Sequence, residues 1–162
     1  MLRIPHLEQG INLCVLTCAS MSLLYYGENR SPESLKALAA SVTCDPVFPG
    51  TYFTDLVKGM GKIGYKWQEK YYQVTGQGFD DGLKDIINSL NAQRPVLVDM
   101  NILPVGHTVL VVGYDSEYCQ LMLLDPNIKS PGLRQMSYAE FKGMWHSLTA
   151  HIRGAIFTQP KD

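Results

Sequence analysis

The chain lacks any apolar run long enough to cross a bilayer. Its first residues, Met1-Leu2-Arg3-Ile4-Pro5-His6, do not form a signal peptide. Excess charge of either sign is also missing: a net charge of -1 over 162 residues points away from nucleic acid and from anionic membrane surfaces as partners. Cysteine is sparse, with Cys14, Cys18, Cys44 and Cys119. Two disulfides are arithmetically possible, but a chain of this length can stabilise itself through a core, and Cys14 and Cys18 would share one helix face. A reduced, cytoplasmic state is therefore expected. There is no C-x-x-C, and His6, His107, His146 and His151 show no metal-ligand spacing with the cysteines, so neither zinc nor any other cofactor is expected. Repeats, low-complexity stretches, linkers and a phosphate-binding glycine loop are absent, which leaves residues 1–162 as a single domain. What is present is ordinary globular material, 46% hydrophobic and 18% charged.

The first half reads as mainly helical. A helix is expected from Leu13 to Tyr26, stopped by Gly27. A second starts with Ser31 as N-cap and Pro32 at the first position, with Leu35, Leu38, Ala39 and Val42 on one face. A third runs from about Thr54 to Ile63, closed by Gly64 despite Gly59 and Gly61. Tyr65 to Tyr72 reads as a strand, Val74 to Phe79 as a glycine-containing loop, and Asp80 as the cap of a helix from Asp81 to Asn91. The second half reads as sheet: Val96–Met100, His107–Tyr114, a turn at Asp115-Ser116-Glu117, a returning strand Tyr118–Leu124, and Ile152–Phe157. Ser137 can cap a short helix containing Phe141 and Trp145. Helices first and an antiparallel sheet after make an α+β domain.

Three residues in this frame carry chemistry. Cys14 falls at or near the start of the first helix, where unpaired N–H groups and the helix dipole favour a thiolate. Cys18 is the rival one turn further on, inside the helix. His107 follows Gly106 at the entry of an apolar strand, and the glycine leaves room for a substrate backbone. Asp125 follows Leu121-Met122-Leu123-Leu124. If the two strands pair through the turn near Ser116, their far ends meet, and Asp125 can hold the His107 ring. Asn127 can do the same. Gln9, five residues before Cys14, can donate an amide hydrogen bond to an oxyanion alongside the Cys14 N–H. Each residue also has a plain structural reading: a buried thiol, an edge histidine, a turn carboxylate and a surface amide. Asp99, Asp115 and Asp45 read as capping or solvated groups, His146 and His151 as packing or surface residues, and Tyr25, Tyr26, Phe141 and Trp145 as core.

Taken together in order, the pieces resemble the papain-like cysteine peptidases that process bacteriocins with double-glycine leaders, and their stand-alone relatives. The matching residues are Pro5, Gln9, Cys14, Met21 and Tyr25-Tyr26-Gly27, then Gly50-Thr51, Gly64-Tyr65 and Arg94-Pro95-Val96-Leu97-Val98. Gly106-His107, Asp125-Pro126, Ser137-Tyr138-Ala139-Glu140-Phe141 and Trp145 complete the set, which spans nearly the whole chain. The resemblance implies a papain-like fold with the nucleophile on N-terminal helices packed against a C-terminal antiparallel sheet. It implies Cys14 as nucleophile, His107 as base and acid, Asp125 as orienter, Gln9 in the oxyanion hole and Gly106 beside the substrate. Cleavage of a protein or peptide after a Gly-Gly pair follows by inheritance. Where the family carries a glycine after the nucleophile, this chain has Val15-Leu16, which bears on the shape of the cleft. Transporter segments are absent, so a leader-processing peptidase and a bacterial effector or toxin domain, delivered into a target cell's cytoplasm and restrained by an immunity protein, both fit. The alternatives are a cell-wall amidase or transamidase on the same fold, and a non-catalytic peptide-binding module.

Overall fold

A computed structural model describes residues 1–39, 50–102, 106–147 and 150–162. Helix α1 (Cys14–Tyr25) is apolar all round, and every residue from Val15 to Leu23 is buried. Such a helix must lie inside a fold rather than on it. Its C-terminus closes as expected at Gly27 (φ 87), with the Gly27 and Glu28 N–H groups donating to the Leu24 and Leu23 carbonyls. Helix α2 (Pro32–Leu38) has the Ser31 cap, whose hydroxyl accepts from the Ser34 N–H, and buries Leu35. Val42, expected to continue that face, lies outside the described residues, as do Asp45 and Cys44. Helix α3 (Phe53–Lys62) buries Phe53, Leu56 and Met60.

Six antiparallel strands form one sheet: β1 (Gln68–Tyr72), β2 (Val96–Met100), β3 (His107–Asp115), β4 (Gln120–Leu124), β5 (Leu133–Ser137) and β6 (Arg153–Phe157), in the order β1-β6-β2-β3-β4-β5. The β-branched runs of β2 and β3 occupy the middle of the sheet, where all the residues from Val96 to Val98 and His107 to Gly113 are buried. α1 packs along β3, and α4 (Gly76–Asn91) and α5 (Tyr138–Met144) cover other parts of the sheet.

Several boundaries differ from the expected ones. α4 begins at Gly76, not Asp81, and its cap is Thr75, whose hydroxyl accepts from the Gly78 N–H at 3.0 Å. The glycines that suggested a loop instead admit close packing: a Cβ at Gly78 would collide with the Gln73 carbonyl. The first strand starts at Gln68, because Tyr65 and Trp67 turn inward as core. The returning strand starts at Gln120, after an Asx turn in which Asp115 accepts from the Glu117 and Tyr118 N–H groups. Strand β5 was not expected at all. Its sequence, Leu133-Arg134-Gln135-Met136-Ser137, is too polar to announce itself, yet as an edge strand it needs only one buried residue, Met136. The Ser137 helix has a full capping box with Glu140, and Phe141 and Trp145 stack with ring centroids 5.0 Å apart.

Candidate active site

The start of α1, the start of β3 and the end of β4 converge. Register explains why: Val111 pairs with Leu123 and Leu110 with Leu124, so Asp125 lies one step beyond the ladder, beside the beginning of β3. There the Nε2 atom of His107 is 2.6 Å from Oδ1 of Asp125. The Cys14 side chain lies near enough to the same ring to raise its proton affinity. With Nε2 committed to Asp125, Nδ1 is the nitrogen left to face sulfur. The N-cap residue Leu13 offers no side-chain cap, so the first-turn N–H groups of α1 are left without a side-chain acceptor.

Electrostatics follow from this geometry. Burial disfavours the charged imidazolium, but the Asp125 hydrogen bond and charge, helped by the nearby Cys14 side chain, outweigh it, and the His107 pKa is pushed up to about 9. Burial likewise works against the Asp125 carboxylate. His107, the Asn127 N–H and Arg134 more than offset that and bring its pKa down to about 2. Cys18 is set differently: it is fully buried, its sulfur approaches the Thr108 carbonyl at 3.6 Å, and burial pushes its thiol pKa up. Between the two candidates for the third position, it is Asp125 that meets His107. Asn127 is exposed and contributes its backbone N–H, 2.9 Å from Asp125 Oδ1.

Gln9 is tied to the same corner by its backbone N–H, which donates to the Pro126 carbonyl at 2.8 Å. Its side-chain Oε1 is buried without a hydrogen-bond partner among the described residues. Gly106 precedes His107 with φ 78, a left-handed conformation suited to glycine. Val15 and Leu16, at the position of the family glycine, are 6% and 1% exposed and belong to the core rather than to an open cleft.

Two contacts on Asp125 escaped the sequence reading. Arg134 of β5 places Nη1 2.7 Å from Asp125 Oδ2. His6 sets Nε2 2.8 Å from the Asp125 backbone carbonyl, while the Asp125 N–H donates to Gly132 at 2.8 Å. Gly132 must be glycine: its φ is 70, and a Cβ there would collide with the His6 ring. The signal for Arg134 was the alternation of Arg134 and Met136 along β5, visible only once that segment is known to be a strand.

Asp99 is a correction. It neither caps a helix nor is freely solvated. It lies half-buried on central strand β2 opposite Thr108, and burial raises its carboxyl pKa to about 6 against the pull of His107 and His146. His146 and His151 pack on each other with ring centroids 5.5 Å apart. Cys14, Cys18 and Cys119 are free thiols.

The sequence matches the Peptidase_C39 like family over residues 1–151. The chain belongs to that family. It is a C39-like cysteine peptidase, a hydrolase, with the papain-like α+β fold. No curated protein matches the sequence. Among solved structures, the peptidase domain of Streptococcus ComA, a bi-functional ABC transporter involved in a quorum sensing pathway, superposes with a TM-score of 0.68 at 18% identity, covering 99% of this chain and 100% of that one. A C39-like peptidase from Bacillus anthracis gives 0.68 at 16% identity, covering 99% and 96%. A double glycine motif protease from an AMS/PCAT transporter, in complex with the leader peptide, gives 0.65 at 14%, covering 98% and 93%. At these identities the likeness concerns the fold of the C39-like peptidase. Among the described residues no helix is long and apolar enough to cross a membrane.

Proposed function

We propose that this C39-like peptidase hydrolyses a peptide bond after a Gly-Gly pair through Cys14, His107 and Asp125, with Gln9 and the Cys14 N–H binding the oxyanion. One observation carries the reading: a single buried imidazole is hydrogen-bonded to a carboxylate and has its proton affinity raised by a thiol at a helix start. The thiolate of Cys14 attacks the scissile carbonyl while its proton resides on His107. His107 then donates that proton to the leaving amine, and the acyl-enzyme is hydrolysed by a water that His107 deprotonates. Asp125 holds the ring in one orientation and stabilises its charge. Gln9 is free to donate to the oxyanion, because no protein group engages its side chain among the described residues.

The substrate class rests on the family resemblance and on the double glycine motif protease with its bound leader peptide. Gly106 beside His107 suits a substrate backbone without side chains at the cleavage point. Leader processing and an effector role in a target cell's cytoplasm, with an immunity protein as partner, both use this chemistry.

The test is cleavage of a peptide carrying a leader that ends in Gly-Gly, followed by mass spectrometry of the products. Cleavage after the second glycine is expected, with complete loss in Cys14→Ala and retention in Cys18→Ala. Full activity in Cys14→Ala would remove the nucleophile assignment. Release of peptides from peptidoglycan with protein substrates untouched would move the protein to the amidase reading.

A further inference from the structure

We propose that Arg134 is a positioning residue for the reaction: its guanidinium anchors Asp125 Oδ2 so that Oδ1 meets His107, and its charge limits how tightly the carboxylate holds the imidazolium. This rests on the catalytic reading above. The geometry is direct. Arg134 Nη1 is 2.7 Å from Oδ2, and His107 Nε2 is 2.6 Å from Oδ1 of the same carboxylate. The Asn127 N–H fixes Oδ1 from a second direction at 2.9 Å, and His6 and Gly132 hold the Asp125 backbone. Every oxygen and backbone polar group of Asp125 therefore has a partner, and Arg134 supplies the one that carries a full permanent charge.

The chemical need is specific. A buried carboxylate facing only an imidazole would bind the proton so firmly that His107 would become a poor donor to the leaving amine. Sharing the carboxylate with a guanidinium weakens that hold while keeping the carboxylate ionised. Arg134 sits on edge strand β5 opposite Leu123, and its side chain is 41% exposed whereas that of Asp125 is 2% exposed. Solvent screens the outer part of the guanidinium, so the effect is modest, about half a pH unit. The other ionisable groups acting here are Cys14 and Cys18 from α1, His6 from the N-terminal segment, and Asp99 from β2 with its neighbour His146.

The experiment is an NMR titration of the His107 ring in the Cys14→Ala protein, which removes the thiol and makes the readout independent of catalysis. Arg134→Met and Arg134→Gln are compared with Arg134→Lys, each first shown to be folded by thermal melting. Both neutral variants should raise the His107 midpoint by about half a pH unit, and the lysine variant should return it toward wild type. In the Cys14-containing protein the alkaline limb of kcat/KM should move up by the same amount. The glutamine variant, which retains an N–H donor without the charge, keeps the test open if the methionine variant fails to fold. An unmoved His107 midpoint in the neutral variants overturns the inference. A moved midpoint with no peptidase activity in wild type would instead leave Arg134's hold on Asp125 intact and remove the catalytic reading.

Discussion

At the scale of single residues, the candidate site turns on one imidazole shared between sulfur and carboxylate. Replacing Asp125 by Asn keeps the shape and removes the charge. The His107 pKa should fall from about 9 toward its ordinary value, and the alkaline limb of kcat/KM should move down with it, alongside a loss of at least about a hundredfold in rate. Asp125→Ala should in addition cost about 3 kcal/mol of stability, because it strands a buried His107 and unpairs Arg134. Denaturant unfolding of the two variants separates these effects. Cys14 and His107 were legible in the sequence because their local positions, a helix start and a strand start, already imply their environments. Asp125 and Asn127 could not be told apart, since they follow β4 by one and three residues, and only the tertiary structure shows which side chain faces the ring. Arg134 and His6 were invisible because they act on Asp125 across the fold rather than through local sequence.

At the scale of elements, the pattern was strongest where one physical signal dominated. The apolar run of β3, the Ser31-Pro32 start of α2 and the Ser137–Glu140 box of α5 all formed as their residues dictate. It failed where tertiary packing overrode propensity: α4 extends back through Gly76 and Gly78 because Thr75 caps it and α4 packs closely there. Thr75→Ala should lower stability by about 1 kcal/mol, measurable by thermal or urea unfolding. Asp99 is the misfit within β2, a half-buried carboxyl that makes no salt bridge among the described residues. Its pKa of about 6, above the usual 3.8, means that the folded state holds its proton more tightly than the unfolded one. Its contribution to stability is therefore best below about pH 4 and is lost as pH rises toward 6. Asp99→Asn should stabilise the protein at pH 7 by about 1–2 kcal/mol and change little at pH 4, as read by paired urea titrations. An equal effect at both pH values would show that the gain is not electrostatic.

For the whole molecule, the paired groups set a stability window. Asp125 and Glu28 both have pKa values lowered to about 2, the latter by hydrogen bonds from Tyr65 and Arg30 and by Lys161. Their stabilisation is present above about pH 4 and is lost as pH falls toward 2. His107, raised from 6.5 to about 9, contributes fully below 6.5 and loses its contribution as pH rises through 9. The melting temperature should therefore decline below about pH 4 and above about pH 6.5, with Asp99 adding a shallower fall of its own as pH rises from about 4 to 6. His107→Ala should flatten the alkaline decline, and a decline that persists unchanged in that variant would place its origin elsewhere.

Sequence alone pointed to the class of the protein and to its candidate reactive groups, because a thiol at a helix start and a histidine at a strand start are local facts written in residue types and their order. It also determined most element types, since hydrophobic period and capping chemistry act over a few neighbours. Tertiary structure decided what those groups face. The pairing of β3 with β4 selects Asp125 over Asn127, and β4 with β5 brings Arg134 to the carboxylate. Burial of α1 withdraws Cys18 from solvent, the partners that folding brings to His107 and Asp125 shift their proton affinities against burial, and desolvation raises that of Asp99. Each of these depends on distances between residues remote in the chain, which folding sets and no local pattern contains.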